Sequence, residues 1–545
     1  MLKQTVTEKT FFDDFVSRNF IPPDHRLVKI KEFLNLDFLA PLVKDAYNNE
    51  NNLGRTPIDP KVLFLACLLQ HLENLSDVEV SKKIFEVPLY RYFVGLGLED
   101  KAPDDTTISF FRLNRMGEER FKVAFEQVIV QLHGADLIGG KIQTQDATNI
   151  RGNIAILNPI QLLNVCRQKL LLAIKLADIK LYDKWSKKFD FKIVYKPKNK
   201  QQHFEDLIAL CQKLVKEVKK HRNRLKSKKV ERWLYMMETA LFEREDECFD
   251  DEGKKQQKKD INKITGKMIN PSDPDVNWGA KSDKKFFVGY KIMSNLDNQY
   301  GIITSVTVEK AGAAEEKYAA WLLEEQKKNI EVVPEHFVAD AKYDFGNTRT
   351  EIRALQDDPE KSINIYIPLV PSKNKEGKYL LDEFSFENGN LVCPDGYQAS
   401  ASYHLEDKMG FEFRFMASVC ATCKRRKECT TSKSQGRRVF VAAAQLERWA
   451  AVSFNVTDEY SLVMKGERYK IEPRQADLKR NQGLSRARYV GLARTRIQTY
   501  LAVMASNFKK MVKYGLGLIE DSTLKTLSLL AAMRLPRGQP CLNTT

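Results

Sequence analysis

Three charged residues of one short segment, Arg468, Glu472 and Lys479, are separated by steps of four and seven. At about 100° per residue, those steps bring all three within roughly 40° of one another on a helix. A carboxylate flanked by two cations suits an acid that holds a divalent cation while its neighbours hold a phosphodiester. A solvated helix with ordinary i,i+4 pairing carries the same pattern. Pro473 removes one backbone donor, so the helix either kinks there or restarts with the proline near its first turn. Two further acids stand at expected strand ends: Asp146 closes the run from Gly139 to Thr148, and Asp340 follows the run from Val332 to Ala339. Side chains leave the sheet at such places, which suits a metal ligand and equally an ordinary turn residue.

A second constellation is made of sulfur. Cys393, Cys420, Cys423 and Cys429 have the spacing C-x26-C-x2-C-x5-C, with Cys393 in a Cys-Pro-Asp-Gly turn. Tetrahedral thiolate coordination of Zn²⁺ would fold an insert expected to be too small for a core of its own. His404 is the replacement ligand should one cysteine not serve, and an iron–sulfur cluster is a weaker match to the spacing.

The elements that must position these residues are read from periodicity. Residues 1 to about 135 form several short helices: one opened by Pro57, Asp59 and Pro60, one by the capping box Ser76-Asp77-Val78-Glu79, and one capped by Asp104, Asp105 and Thr106. The last of these runs through Phe110, Phe111 and Leu113, with Arg112 and Arg115 expected outward. Such an array suits a helix-turn-helix-like DNA reader or a plain bundle. From Pro159 to about Asp260 the chain reads as a charged helical hairpin with one basic flank, and Lys254 to Lys263 as a flexible linker. Strands at Phe286–Met293 and Gly301–Thr307, a helix at Ala311–Lys328, strands at Val332–Ala339 and Ile363–Leu369 and a helix between them give an α/β architecture. A long helix from Arg486 to Tyr514 carries the packing stripe Ile497, Leu501, Met504, Phe508 and Met511.

The 545 residues carry a net charge of +16 with a pI near 9.2, which favours a polyanionic partner. The apolar run Val62 to Leu69 is too short to span a bilayer, and Met1 to Ile21 lacks a basic start and an apolar signal core, so no membrane partner is expected. Nine cysteines, an odd count in a long chain, point to a reduced, cytoplasmic setting rather than a disulfide scaffold. No Walker-type phosphate loop is present, and no serine-recombinase or tyrosine-nucleophile arrangement stands out.

Taken together, Asp146, Asp340 in Val338-Ala339-Asp340-Ala341-Lys342-Tyr343, and Glu472 in Arg468-x3-Glu472-x6-Lys479 resemble the DDE transposases of bacterial insertion sequences. The resemblance is narrower still to the group with a Tyr-x2-Arg-x3-Glu-x6-Lys signature around the third acid. The block Ile471 to Leu484, with Gly491-Leu492-Ala493 after it, is similar to that family's text, as is Pro57 to Arg115 to its N-terminal helical domain; the cysteine insert resembles a sub-branch. One departure is plain: the signature tyrosine position holds Lys465, and Tyr469 lies out of register.

The resemblance implies an RNase H-like mixed sheet flanked by helices, with an N-terminal all-α domain, a helical insertion and a small four-cysteine insertion. The corresponding division is 1–135 (DNA-binding), 136–156, 276–371 and 437–515 (three parts of the catalytic core), 157–275 (helical insertion), 372–436 (cysteine insertion) and 516–545 (tail). It further implies two Mg²⁺ (or Mn²⁺) ions about 4 Å apart on Asp146, Asp340 and Glu472, acting on phosphodiesters by in-line displacement. Arg468, Lys479, Arg474, Arg480 and Lys465 are the expected DNA contacts. The implied substrates are double-stranded transposon ends and target DNA, held by a homodimer in the bacterial cytoplasm and nucleoid. Two other readings compete: a metal-dependent endonuclease without strand transfer, and an inactive DNA-binding derivative. Should Glu472 not serve, Asp477 or Glu467 is its alternative; Asp344 is that of Asp340.

Overall fold

The computed structural model describes residues 10–47, 57–194, 199–244, 266–282, 285–345, 347–358, 360–370, 379, 381–406, 410–430, 432 and 434–514. The Lys254–Lys263 linker and the 516–545 tail expected from the sequence lie outside them.

The architecture is mixed α/β. Its sheet is built on the long strand β3 (Lys285–Asp297), which pairs antiparallel with β1 (Ile142–Arg151), β2 (Asn277–Ser282) and β4 (Ile302–Lys310). Strand β5 (His336–Val338) then pairs parallel with β1, and β6 (Asn364–Tyr366) parallel with β5. The β3–β4 hairpin turns through Asn298 to Gly301, where a positive φ of 73° makes the glycine the residue the turn requires. Strand β2 was not expected from the sequence. It is short, and it pairs with the N-terminal part of β3, up to Gly289.

The N-terminal helices form as their caps direct. Asp59 caps the helix Pro60–Leu72, whose residues are buried on every face except at Lys61. Ser76 and Glu79 complete the capping box of Asp77–Glu86, and Gly95 closes Pro88–Val94 in the left-handed region. These helices do not stand apart from the sheet. One continuous core joins Leu27, Phe64 and Phe125 to Ile292 and Ile303 of the sheet and to Leu501 and Phe508 of the helix Leu492–Lys513. Phe125 stacks on Tyr500 at 5.7 Å between ring centroids, and Phe33 meets Phe508 edge-on. The packing stripe of that last helix is buried throughout, although the helix begins at Leu492 rather than Arg486.

Three expectations are corrected. Arg112 points inward and is fully buried, because the chain passes through a π-helical stretch, Phe111–Met116, that rotates the following side chains relative to an α-helical register. The charged hairpin is four helices, Pro159–Ala177, Ile179–Lys188, Lys200–Lys220 and Lys228–Arg244, around a core of their own that includes Leu163, Trp185, Phe204 and Met237. The cysteine-bearing segment also has its own apolar cluster, of Phe384, Leu391, Phe413, Phe415, Val439 and Val441, between a three-stranded and a two-stranded sheet.

Candidate active site

Asp146 does not close its strand: β1 runs on to Arg151, and Asp146 pairs with Ser294 of β3 in mid-strand. What ends there is the parallel pairing. Thr144 of β1 is opposite Val338 of β5, and beyond that pair the two strands part. Asp340 follows β5 two residues later and caps the turn Ala341–Tyr343, accepting from the Lys342 N–H at 2.9 Å. Both acids therefore lie just beyond the last parallel pair of β1 and β5, Asp146 within β1 and Asp340 after β5, where the parting of adjacent parallel strands opens a crevice.

A third acid joins them. Glu315, in the single turn Glu315–Tyr318 before the helix Ala319–Ile330, brings a carboxylate oxygen to the same place. Asp146, Glu315 and Asp340 each place an oxygen within 4.8 Å of the others. Glu315 is only 5% exposed, and its carboxylate meets Lys291 Nζ at 2.9 Å and Lys342 Nζ at 3.4 Å. Burial pushes the Asp146 carboxyl up to about 6; the charges of Asp340 and Glu315 add to the rise, while the Ala147 N–H and Arg468 oppose it. Asp340 is raised in the same direction, first by burial and then by Glu315, against the Lys342 N–H and ammonium and Arg468. Three crowded carboxylates with an all-oxygen donor set fit a hard divalent cation such as Mg²⁺ or Mn²⁺. Sequence reasoning missed Glu315. Glu315 falls inside the helix expected at Ala311–Lys328, where a charged residue is ordinary; the helix begins only at Ala319, and the sheet order brings Glu315 against β1 and β5.

Glu472 is not among the acids that meet there. The chain restarts as Pro473 allowed: helix Asp458–Glu467, a 3-10 turn Arg468–Lys470, then helix Ile471–Asn481 with the proline in its first turn. The break means that Arg468 does not share a continuous α-helix with Glu472 and Lys479. The segment is instead stitched along β1. Asn298 Nδ2 donates to both Thr144 Oγ1 and Glu467 Oε2 at 2.9 Å, Lys479 Nζ donates to Asn149 Oδ1 at 3.2 Å, and Ala487 N donates to the Arg151 carbonyl at 2.8 Å. Glu472, Arg468, Lys465 and Arg480 are exposed, and Lys479 is half-buried. Arg474 is buried; burial lowers its pKa to about 10, and it faces Asp477 at 3.4 Å, so it offers no surface to a polyanion.

The alternative acids are committed elsewhere. Asp344 is buried between Arg448 at 2.6 Å and Arg349 at 3.2 Å and accepts from the Val370 N–H. Asp477 accepts from Ser506 and Asn481, and Glu467 holds Lys470 at 2.7 Å besides Asn298. Cys393, Cys420, Cys423 and Cys429 all line one small cavity, together with Tyr397 and Phe415. Burial raises the Cys429 thiol, and the neighbouring Cys420, Cys393 and Cys423 add to the rise against Arg437. Cys423 Sγ lies 3.2 Å from Asp395 Oδ2. His404 is exposed, its ring tilted at 44° against Phe411, and it does not line the cavity.

Two family models match the chain: Transposase domain (DUF772) over residues 15–114 and Transposase DDE domain over residues 392–512. Both ends of the chain thus define one class of protein, a transposase. The two matches support a transposase of the insertion-sequence DDE type. No curated protein and no solved structure matches it. Among the described residues, no helix is long and apolar enough to cross a membrane.

Proposed function

We propose that this transposase cuts DNA at the terminal inverted repeats of an insertion sequence and joins the freed ends to target DNA, by metal-dependent hydrolysis followed by transesterification. The observation that carries the reading is the convergence of Asp146 and Asp340 where the parallel pairing of β1 and β5 ends, with the Glu472 helix tied along β1. The order β4-β3-β1-β5-β6, antiparallel up to β1 and parallel after it, supports an RNase H-like core. Glu472 lies between Glu467, tied to Thr144 through Asn298, and Lys479, tied to Asn149, and Asp146 lies between those two β1 residues. That order supports bringing the exposed Glu472 side chain to the cluster.

Asp146, Asp340 and Glu472 would hold the divalent cations. When bound, such cations activate a water or a 3′-hydroxyl and stabilise the leaving oxygen. Arg468, Lys465, Lys479 and Arg480 neutralise the phosphates beside the scissile bond. The two ends are held by a homodimer on DNA. In the test, the full chain is incubated with Mg²⁺ and a plasmid carrying the element's own ends. The expected products are nicks leaving 3′-hydroxyls at the ends and strand-transfer joints into a second plasmid. Nicks without joints would favour the endonuclease reading, and the absence of any Mg²⁺- or Mn²⁺-dependent product would sink both.

The four-cysteine cavity is proposed as a structural zinc site, since thiolates converging on one small cavity suit a soft, tetrahedral ion. The apolar cluster beside it changes what metal loss should do. Chelation should loosen the cysteine lobe while the main thermal transition, governed by the shared core, moves little. Protein purified without added metal should carry about one zinc per chain, and the Cys420→Ser/Cys423→Ser variant close to none. Wild-type protein devoid of zinc by elemental analysis would refute the assignment.

A further inference from the structure

We propose that Glu315 is a fourth acid of the cation centre, a direct ligand that with Asp146 and Asp340 forms a pre-built three-carboxylate site before Glu472 turns in. The inference rests on the proposed metal-dependent reading of that site and adds a residue to it. The geometry is the first ground: Glu315 shares with Asp146 and Asp340 the same 4.8 Å limit that joins those two to each other, and it is the most buried of the three. A carboxylate needed only to pair with Lys291 and Lys342 would be better placed away from the two aspartates, because its charge there works against both.

A second observation points to something between these acids. Tyr343, in the turn that Asp340 caps, is 1% exposed, and its hydroxyl finds no hydrogen-bond partner among the described residues. Apart from burial, the charges acting most strongly on that hydroxyl are those of Glu315, Asp146 and Asp340. A buried hydroxyl is ordinarily paired. Water held by a cation on the three carboxylates would supply the acceptor it lacks. The two lysines complete the account: Lys291 and Lys342 converge on Glu315 and offset part of the negative charge. Lys291 is nearly buried and also bonds the Ala313 carbonyl, so it is fixed. Lys342 has a half-exposed side chain and can swing away when a cation takes over its role.

Mn²⁺ titration of the full-length chain without DNA, followed by loss of the free-ion electron paramagnetic resonance signal, tests the proposal without any turnover. Glu315→Gln should weaken Mn²⁺ binding at least about tenfold, as Asp146→Asn and Asp340→Asn should. Lys342→Met, a change on an exposed stem, should tighten it several-fold by removing a competing charge. A Glu315→Gln protein that binds Mn²⁺ as wild type does, while the aspartate variants lose it, would overturn the role of Glu315 and leave the centre standing. Should Glu315→Gln fail to fold, Lys342→Met decides: unchanged or weaker binding overturns the proposal. Mn²⁺ binding that is indifferent to Asp146 and Asp340 removes the centre itself, and Glu315 with it.

Discussion

Asp340→Asn should lower Mg²⁺-dependent nicking of element-end DNA by at least about 10³-fold while binding to the same DNA stays within a few-fold of wild type. The substitution keeps the size of the side chain and its capacity to accept from the Lys342 N–H, so the turn Ala341–Tyr343 persists. What it removes is one negative charge from a cluster that already strains to keep its acids ionised, with both Asp146 and Asp340 pushed above the ordinary carboxylate range. Less repulsion toward phosphates should, if anything, tighten DNA binding slightly and leave its salt dependence intact, because the basic residues that set the salt slope are untouched. Glu472→Gln separates the two acidic partners. If Glu472 acts in the assembled complex alone, that variant loses nicking to a similar degree yet retains Mn²⁺ binding in the free protein, whereas Asp340→Asn loses both. Nicking by Asp340→Asn within tenfold of wild type, measured on the same plasmid, would show that Asp340 does not serve the reaction.

How far the sequence could carry this site depended on which signals were local. Caps and breaks were local and legible: Asp59, Ser76 with Glu79, and Asp104 start their helices where the sequence places them, and of the kink or restart that Pro473 allows, the chain takes the restart. Asp340 follows its strand as the sequence indicates. Asp146 was misplaced because the residues after it, Ala147 to Asn149, look like a turn, whereas antiparallel pairing to β3 carries the strand on to Arg151. That pairing is long-range and leaves no mark within the strand. Glu315 was illegible for the same reason: its neighbours in space come from β1 and from the turn after β5, not from its own segment. Arg474 shows the reverse failure. In an Arg-rich window every guanidinium looks like a phosphate contact, and only the packing of the helix against its neighbours distinguishes buried Arg474 from exposed Arg480.

Arg112→Met should destabilise the protein by about 3–5 kcal/mol, read as a shift in urea midpoint at unchanged slope. The Arg112 guanidinium is fully buried, donates to both oxygens of Asp77 at 2.8 Å and to Gln70 Oε1 at 3.1 Å, and lies over the Tyr489 ring at 4.5 Å. Burial works against the Asp77 carboxylate, and the hydrogen bonds and charge of Arg112 more than offset it, holding that group below its ordinary pKa. Methionine fills most of the volume but leaves the Asp77 charge, the Gln70 carbonyl and the Tyr489 face without the cation that all three surround. Arg112→Met/Asp77→Asn should then recover a measurable share of the loss, since the stranded charge accounts for much of it. The contact also joins distant parts of the chain. Tyr489 and Arg488, which bonds the Leu75 carbonyl and Asn74, sit between the Glu472 helix and the helix Leu492–Lys513. Losing Arg112 should therefore loosen the N-terminal helices from the segment that carries Glu472, and protease sensitivity near Asn74 and Tyr489 should rise together. A stability loss under about 1 kcal/mol would mean that Asp77 finds water or another cation as readily as it finds Arg112, and that the burial of this guanidinium does not bind the two parts together.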